Sequence, residues 1–407
     1  MDLIKFQKLF LIAFVLDRES GSESKTASDL LRIYLKHAEF VKVLTSSLTP
    51  LSEISKLKEE FNGKIEINVL KLPRFFLGKG RAILLLGIRY WHRKALKSKV
   101  EQDYFSGADL GVHLSFATFL FGTPLNRISI PYIFGPAGFS MFSRNSLRII
   151  GIWSVLELFR NLLVKLTIRT DPFVRKSLNG ASVVIATNIN SKRILQEGIK
   201  LSNLSLPIPH ISFSSVESIK KINSNRIIWV GQYLKKKDPL LALQIFENVA
   251  DSFKNLTLHF YGDGPLKNEL SNAISMSPYE DRIFMHSWIT SKELLIEISN
   301  SEILLHTSVR ETAGNQILES VLVGTKVITS NRTNLFTWLE IPGVSYALVD
   351  SYITRKELVI RYSNDISSWY SLDQESRTQI MNSSREILKC YTPLRLVEGT
   401  LHAYFAK

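Results

Sequence analysis

Two glutamates, Glu311 and Glu319, stand eight positions apart in the stretch SVRETAGNQILES, on either side of a Gly-Asn step at Gly314 and Asn315. The stretch follows SEILLHTS, which reads as a buried strand ending near Leu305, then a turn, then a helix whose first apolar residues are Ile317 and Leu318. On that reading Glu311 precedes the helix and Glu319 lies about two turns inside it. The first N–H groups of a helix have no partner within it, and the positive end of its dipole favours an anion. Ala313, Gly314 and Asn315 would offer such groups to a phosphate. A phosphate beside two carboxylates is a nucleotide-sugar-like arrangement. A capped helix carrying one solvated acid fits the same window.

Other chemistries find few residues. Cys390 is the sole cysteine, which excludes an internal disulfide and a cysteine-cluster metal site and fits a reducing compartment. The eight histidines include no pair at a spacing of three or four, as a His-x-x-x-His zinc site requires. No metal site is expected.

The elements that must position the glutamates follow from the apolar runs. LFLIAFVL, FVKVLTS, IEINVLKL, LGVHLSF, IPYIFGP and SVVIATN alternate with helical stretches in the first half, and RIIWVGQ, LTLHFYGDG, RIFMHSW, EILLHTS, TKVITS and SYALVD do so in the second. Such alternation predicts parallel sheets covered on both faces, and two series predict two doubly wound Rossmann-like domains facing a cleft. The 407 residues agree with two or three domains at about 150 residues each. The break falls in LSLPIPHISFSSVESIKKINSN, which puts a linker near residues 206–223 and domains at 1–210 and 211–390. Ligands of open α/β sheets bind at the carboxyl ends of strands, so the chemistry is expected in LDRESGSESK, IFGPAGFS, VGQYLKKKD, FYGDGP, MHSWIT and SVRETAGNQ. In the final stretch, Leu394, Val397, Leu401 and Phe405 fall on one helical face that needs a partner surface.

A composition 45% hydrophobic and 22% charged is ordinary for a folded soluble protein. The opening KFQKLFLIAFVLDRESGS has the basic and apolar regions of a short signal peptide but no small-x-small cleavage pattern. We read it as a buried strand from Leu9 to Leu16 leading to a helix from about Ser24. No other apolar run approaches the roughly 18 to 20 residues that span a bilayer, so no integral membrane protein is expected. The net charge of +14 raises nucleic acid and anionic membranes as partners. From Lys71 to Lys99 nine lysines and arginines occur without an acid, among apolar residues in AILLLGIRYWHRKAL. That mixture resembles a basic amphipathic helix on an anionic bilayer, although a core-facing helix with a solvated basic face has the same pattern. No nucleic-acid motif accompanies the charge.

In order and spacing, VGQYLKKKDPLLAL, YGDGPLKNEL and SVRETAGNQILESVLVGTKVITS resemble the retaining GT-B glycosyltransferases called family 4 or group 1. The first half is similar to one branch of that family through GSES, VHLSF, IPYIFGPAG and DPFVRKSLNGASVVIATN. The resemblance implies that Glu311 approaches the hydroxyls of the donor sugar, Glu319 holds the ribose hydroxyls, and Lys237 neutralises the diphosphate with amides of Gly314 and Asn315. It places His113 near the donor sugar and acceptor, and Gly135, Pro136 and Gly138 on the loop facing the donor. Gly21, Ser22 and Glu23 match the loop after the first strand. It also implies that the helix of 391–407 returns to pack on the first domain, where the alternative is a helix wholly of the second.

Four positions depart from the family. Gln232 occupies the place of a phosphate-binding arginine, for which Lys235 or Lys236 would have to compensate; Phe139 replaces a glycine; Lys326 replaces a proline; and NRTNLFTWLE lacks the usual glycine-rich continuation. No Asp-x-Asp motif occurs, in agreement with a metal-independent site that takes a nucleotide sugar as substrate and needs no further cofactor. The implied activity is sugar transfer, with retention, to a glycan or lipid-linked acceptor of the kind used in cell-surface polysaccharides. The implied location is cytoplasmic, peripheral on the inner face of the membrane. The rival expectations are a sugar-nucleotide epimerase of similar fold and a degenerate nucleotide-binding protein at the membrane.

Overall fold

The computed structural model describes residues 6–19, 22–77, 81–115, 118–140, 153–199, 201, 204–205, 224–312, 314–333, 335, 339–349 and 353–405. The chain divides into two compact units. One comprises Met1–Phe139, Leu162–Ser212 and Thr392–Lys407, the other Ser140–Asn161 and Phe213–Tyr391. The stretch 140–161, which the sequence division left in the first domain, thus groups with the second, and the expected linker at 206–223 lies outside the described residues.

The first unit is built on seven parallel strands: β1 (Phe6–Ala13), β2 (Ala38–Ser46), β3 (Ile65–Leu70), β4 (Leu110–Ser115), β5 (Tyr132–Ala137), β6 (Val183–Ala186) and β7 (Leu204–Ser205). Their order is β3-β2-β1-β4-β5-β6-β7. Strands covered on both faces read as continuous apolar runs, and the run Leu9–Ala13 is buried throughout in the centre of the sheet, with Leu9 in register between Val41 and Leu110. The strand begins and ends earlier than Leu9–Leu16, because Phe14 and Leu16 are buried in the loop after it, and the next helix, Ser22–Tyr34, starts before Ser24.

The C-terminal helix Pro393–Phe405 packs in this unit. Its Leu396, Val397 and Leu401 join Ala27, Leu30 and Leu31 in one core, and Phe405 stacks on Phe6 at 5.7 Å. The inward stripe is rotated from the expected one: Leu394 and Phe405 are largely exposed, and Leu396 and Thr400 take the buried positions. Each buried aliphatic side chain contributes about 1.5–3 kcal/mol.

The basic segment contains the helix Arg81–Lys94, which buries Ile88, Trp91 and His92 against the unit. Arg89 (2.9 Å) and Arg93 both pair with Asp171, the N-cap of the helix Pro172–Asn179. It is therefore a core-facing helix, with Leu85, Leu86 and Tyr90 left on its outer side.

The second unit carries six parallel strands: β8 (Arg226–Val230), β9 (Thr257–Tyr261), β10 (Ile283–His286), β11 (Ile303–Leu305), β12 (Lys326–Ser330) and β13 (Val344–Ala347), ordered β10-β9-β8-β11-β12-β13. Helices are started by local chemistry. Asp238 caps the helix Pro239–Ala250 and is followed by proline at its first position, while Thr290 with Glu293 and Thr354 with Glu357 form capping boxes. Among the described residues no helix is long and apolar enough to cross a membrane.

Candidate functional site

In the second unit the strand order turns back between β8 and β11: successive strands run outward through β9 to β10 on one side and through β12 to β13 on the other. Loops leaving adjacent strands diverge at such a switch point and open a crevice at their carboxyl ends. Lys237 lies in the loop after β8 and Glu311 in the loop after β11, and the two side chains form an ion pair. The loops are stitched together from below. The Val309 amide donates to the Lys236 carbonyl (2.8 Å), and the Thr307 hydroxyl reaches the carbonyls of Lys237 (2.8 Å) and Asp238 (2.9 Å) while accepting from the Trp229 indole (2.8 Å). Arg355 then grips Asp238 through two bonds of 2.9 and 3.0 Å.

Burial pushes the Glu311 carboxyl up, but Lys237, aided by His306 and Lys236, overcomes it and holds the group at about 2. Glu311 is an anion throughout the physiological range. His306, directly after β11, is fully buried; burial and the nearby Lys237 push it down to about 3, so it is neutral. Its Nδ1 meets the Thr329 hydroxyl at 2.8 Å, and its Nε2 has no hydrogen-bond partner among the described residues. Arg332 is 2% exposed and donates to the Thr307 carbonyl (2.7 Å) and the Ser330 hydroxyl (3.0 Å). The NRTNLFTWLE departure therefore places a buried guanidinium behind the Lys237 loop. The same unit holds Glu157 against both Arg160 (3.0 Å) and Arg310 (2.7 Å), and Arg310 donates to the Ser140 hydroxyl (3.0 Å), which fixes the residue next to Glu311.

The helix after Glu311 runs Asn315–Val323. Gly314 is its N-cap at φ +62°, a left-handed conformation that costs a glycine nothing. Asn315 is buried at the helix start, and its side-chain oxygen has no hydrogen-bond partner among the described residues. Glu319 is four residues in, just over one turn instead of two, and half-buried on the same helix. Gln232 is exposed, and its carbonyl accepts from the Leu234 amide (2.7 Å), so its role here is in the turn; Lys235 is exposed and Lys236 half-buried beside it. Lys326 is accommodated where the family has proline because its ammonium donates to the Pro342 carbonyl (3.2 Å) and lies over the Trp369 ring. Burial pushes that ammonium down to about 8.

In the first unit the switch point falls between β1 and β4, and His113 sits near the carboxyl end of β4. Its Nε2 lies 3.1 Å from the Ser115 carbonyl, which only accepts, so Nε2 carries the proton and Nδ1 is left without a partner among the described residues. Burial pushes the ring down to about 3, so it is neutral. A second buried histidine, His92, meets it edge-on at 4.9 Å. Gly135 and Gly138 end β5 against β6: a side-chain carbon on Gly135 would meet the Ile185 carbonyl at 2.4 Å, and on Gly138 the Thr187 hydroxyl at 1.8 Å. Packing against the Ile185 backbone alone requires Gly135. Phe139 is buried edge-on to Phe119. Gly21 lies outside the described residues.

The structure thus brings Lys237 and Glu311 into contact, puts Gly314, Asn315 and Glu319 on the helix that follows, and places His113, Gly135 and Gly138 in the other unit. His306, Thr307, Arg332 and the Glu157–Arg310 pair escaped the sequence reading. Only the ending HTS of the apolar run signalled the first two.

Residues 213–386 match the family model of the glycosyl transferases group 1. Over 99 residues the chain is 27% identical to the 2-deoxystreptamine glucosyltransferase of Streptomyces kanamyceticus; the match covers 24% of this chain and only 26% of that protein. Among solved structures, the chain is similar to TarM, with 10% identity and a TM-score of 0.63 over 99% of this chain and 100% of that one. It is also similar to HepE of Anabaena in complex with UDP-glucose, with 13% identity and a TM-score of 0.61 over 97% and 99%. Both units have the Rossmann-like architecture of the GT-B fold, and the second carries the matched group 1 segment, which includes Lys237, Glu311 and Glu319. Together these matches show the GT-B fold for the chain and a group 1 glycosyl transferase segment in its second unit.

Proposed function

We propose that the protein transfers a sugar from a nucleoside-diphosphate donor to a glycan or lipid-linked acceptor with retention of configuration. The observation that carries this reading is the Lys237–Glu311 pair at the switch point of the second sheet, followed at once by the open helix start at Gly314 and Asn315. As the glycosidic bond breaks, negative charge collects on the departing diphosphate and positive charge on the sugar. Lys237 and the amides of Gly314 and Asn315 stabilise the first, with the buried Arg332 adding to the positive field behind the loop and offsetting the arginine missing at Gln232. This charge comes from the protein, so the transfer is proposed to need no metal.

Glu311 stays anionic and accepts from donor-sugar hydroxyls once Lys237 turns to the diphosphate. Glu319 accepts from the ribose hydroxyls. The acceptor attacks on the face the diphosphate leaves, and the departing phosphate takes its proton, because no carboxylate is assigned as a covalent nucleophile. His113, neutral and unprotonated at Nδ1, serves the sugar or acceptor from the first unit. The structure of HepE with UDP-glucose supports a UDP-sugar as the first donor to try. Cell-surface polysaccharide synthesis at the inner, cytoplasmic face of the membrane is the setting that a lipid-linked acceptor and the basic chain favour.

Calorimetric titration with a panel of nucleoside diphosphates tests the donor site. One of them should bind, and Glu319→Gln should weaken it about ten- to a hundredfold, the worth of hydrogen bonds to a charged group. Failure of every nucleotide to bind folded protein would remove the reading.

A further inference from the structure

The helix Trp153–Thr170 has its polarity reversed. Its inward positions are Glu157, Asn161, Val164 and Ile168, all buried, whereas Val155, Leu156, Phe159, Leu162, Leu163 and Leu166 are 45–66% exposed. The outward spacings repeat every three or four residues, so the six side chains form one continuous stripe about 16 Å long at about 1.5 Å per residue. Single exposed apolar residues need no explanation, but a contiguous stripe of this size marks a surface that is covered in use.

The charges around the stripe are of one sign. Glu157 is the helix's only acid and is buried against Arg160 and Arg310, while Lys165 and Arg169 are exposed. Just past the helix, Asp171 is held by Arg89 and Arg93 of the basic helix Arg81–Lys94, which adds its own exposed Leu85, Leu86 and Tyr90. We propose that the outward face of Trp153–Thr170 lies in the headgroup region of an anionic lipid bilayer, with its leucines and Phe159 toward the acyl chains and Lys165 and Arg169 at the phosphates. A second copy of the chain is the less favoured cover, because a symmetric pair would set these cations against their own kind in a protein of charge +14. The inference rests on the membrane-side reading of the function and names the element that makes the contact.

Sedimentation with phosphatidylcholine vesicles, with and without phosphatidylglycerol, tests it on the whole chain. The protein should pellet with the anionic vesicles and be released by salt. Lys165→Gln with Arg169→Gln should weaken binding about thirtyfold, at roughly 1 kcal/mol per cation. Leu156→Ser with Leu163→Ser should abolish it without changing the unfolding temperature. An environment-sensitive dye on Leu163→Cys, in a Cys390→Ser background that removes the exposed native thiol, should shift to the blue on those vesicles. No pelleting at low salt, or equal pelleting by the serine variant, would overturn the proposal. A dimer that the serine variant dissociates, with no vesicle binding, would assign the face to a second copy instead. Nucleoside-diphosphate binding, measured on the same samples, separates failure of this surface from failure of the donor site.

Discussion

Replacing Lys237 by methionine removes the cation that holds the Glu311 carboxyl down against the upward push of its burial. Against an ordinary value of 4.5, a Glu311 held at about 2 has its ionised form favoured by about 3 kcal/mol in the native state, at about 1.4 kcal/mol per unit. Lys237 is the main cause of that depression, so Lys237→Met should cost about 3 kcal/mol at neutral pH. The sign fixes the window. A depressed carboxyl stabilises the fold above about pH 4.5 and loses that contribution as pH falls toward about 2, so the gap between wild type and variant should close over the same interval. Adding Glu311→Gln removes the stranded charge and should recover most of the loss, since an unpaired buried charge costs more than an absent pair. Nucleoside-diphosphate binding should not recover in the double variant, because the diphosphate's cation is still missing. Urea unfolding across pH, with calorimetry for the nucleotide, separates the two effects. Equal stability of wild type and Lys237→Met at neutral pH, or a double variant no more stable than the single, would refute the reasoning.

Other outcomes follow from the same geometry. His113 and His306 are held near 3, so the unfolded chain binds more protons between about pH 6.5 and 3 and stability should fall through that range; His113→Gln, which keeps a donor for the Ser115 carbonyl, should flatten the fall seen by tryptophan fluorescence. Leu401→Ala should cost about 2–5 kcal/mol, and deletion from Tyr391 onward should abolish cooperative unfolding of the first unit and transfer with it, although Lys237, Glu311 and Glu319 remain; unchanged turnover would make the helix dispensable. Lys326→Met combined with Asp365→Asn, which removes the buried ammonium together with the acid it faces, should raise stability by about 1–2 kcal/mol, and an unchanged or lower melting temperature would contradict this.

The parallel sheets were legible because strands buried on both faces write themselves as unbroken apolar runs, and runs such as RIIWV and KVITS fell where the strands are. The loop bearing Glu311 and the helix start at Gly314 were legible for a related reason: glycine and a helix cap have local signatures. Depth along the helix was misjudged, because the eight positions from Glu311 to Glu319 amount to two turns only if all are helical, and the first of them lie in the turn before the cap at Gly314. Arg332 and His306 were hidden because nothing in a side chain's neighbours in sequence announces that it will be buried beside a loop formed elsewhere. The reversed helix Trp153–Thr170 was missed for a sharper reason. Periodicity shows that a helix has two faces, and it does not say which one faces the core; Glu157 turns inward to meet Arg310, about 150 residues later, as well as Arg160 of its own helix. The same ambiguity attended the basic stretch from Lys71, where the helix proved to face the core and spends Arg89 and Arg93 on Asp171.

The central claim is that the Lys237–Glu311 crevice turns over a nucleotide sugar, and release of nucleoside diphosphate from a panel of nucleotide sugars, with a mixed glycan and lipid-linked acceptor extract, tests it most directly. One donor should be consumed by wild type, its sugar recovered on an acceptor with the donor's anomeric configuration, and Glu311→Gln should slow release at least a hundredfold while still folding. Absence of release from every donor by folded wild type, or equal release by Glu311→Gln, would contradict the account.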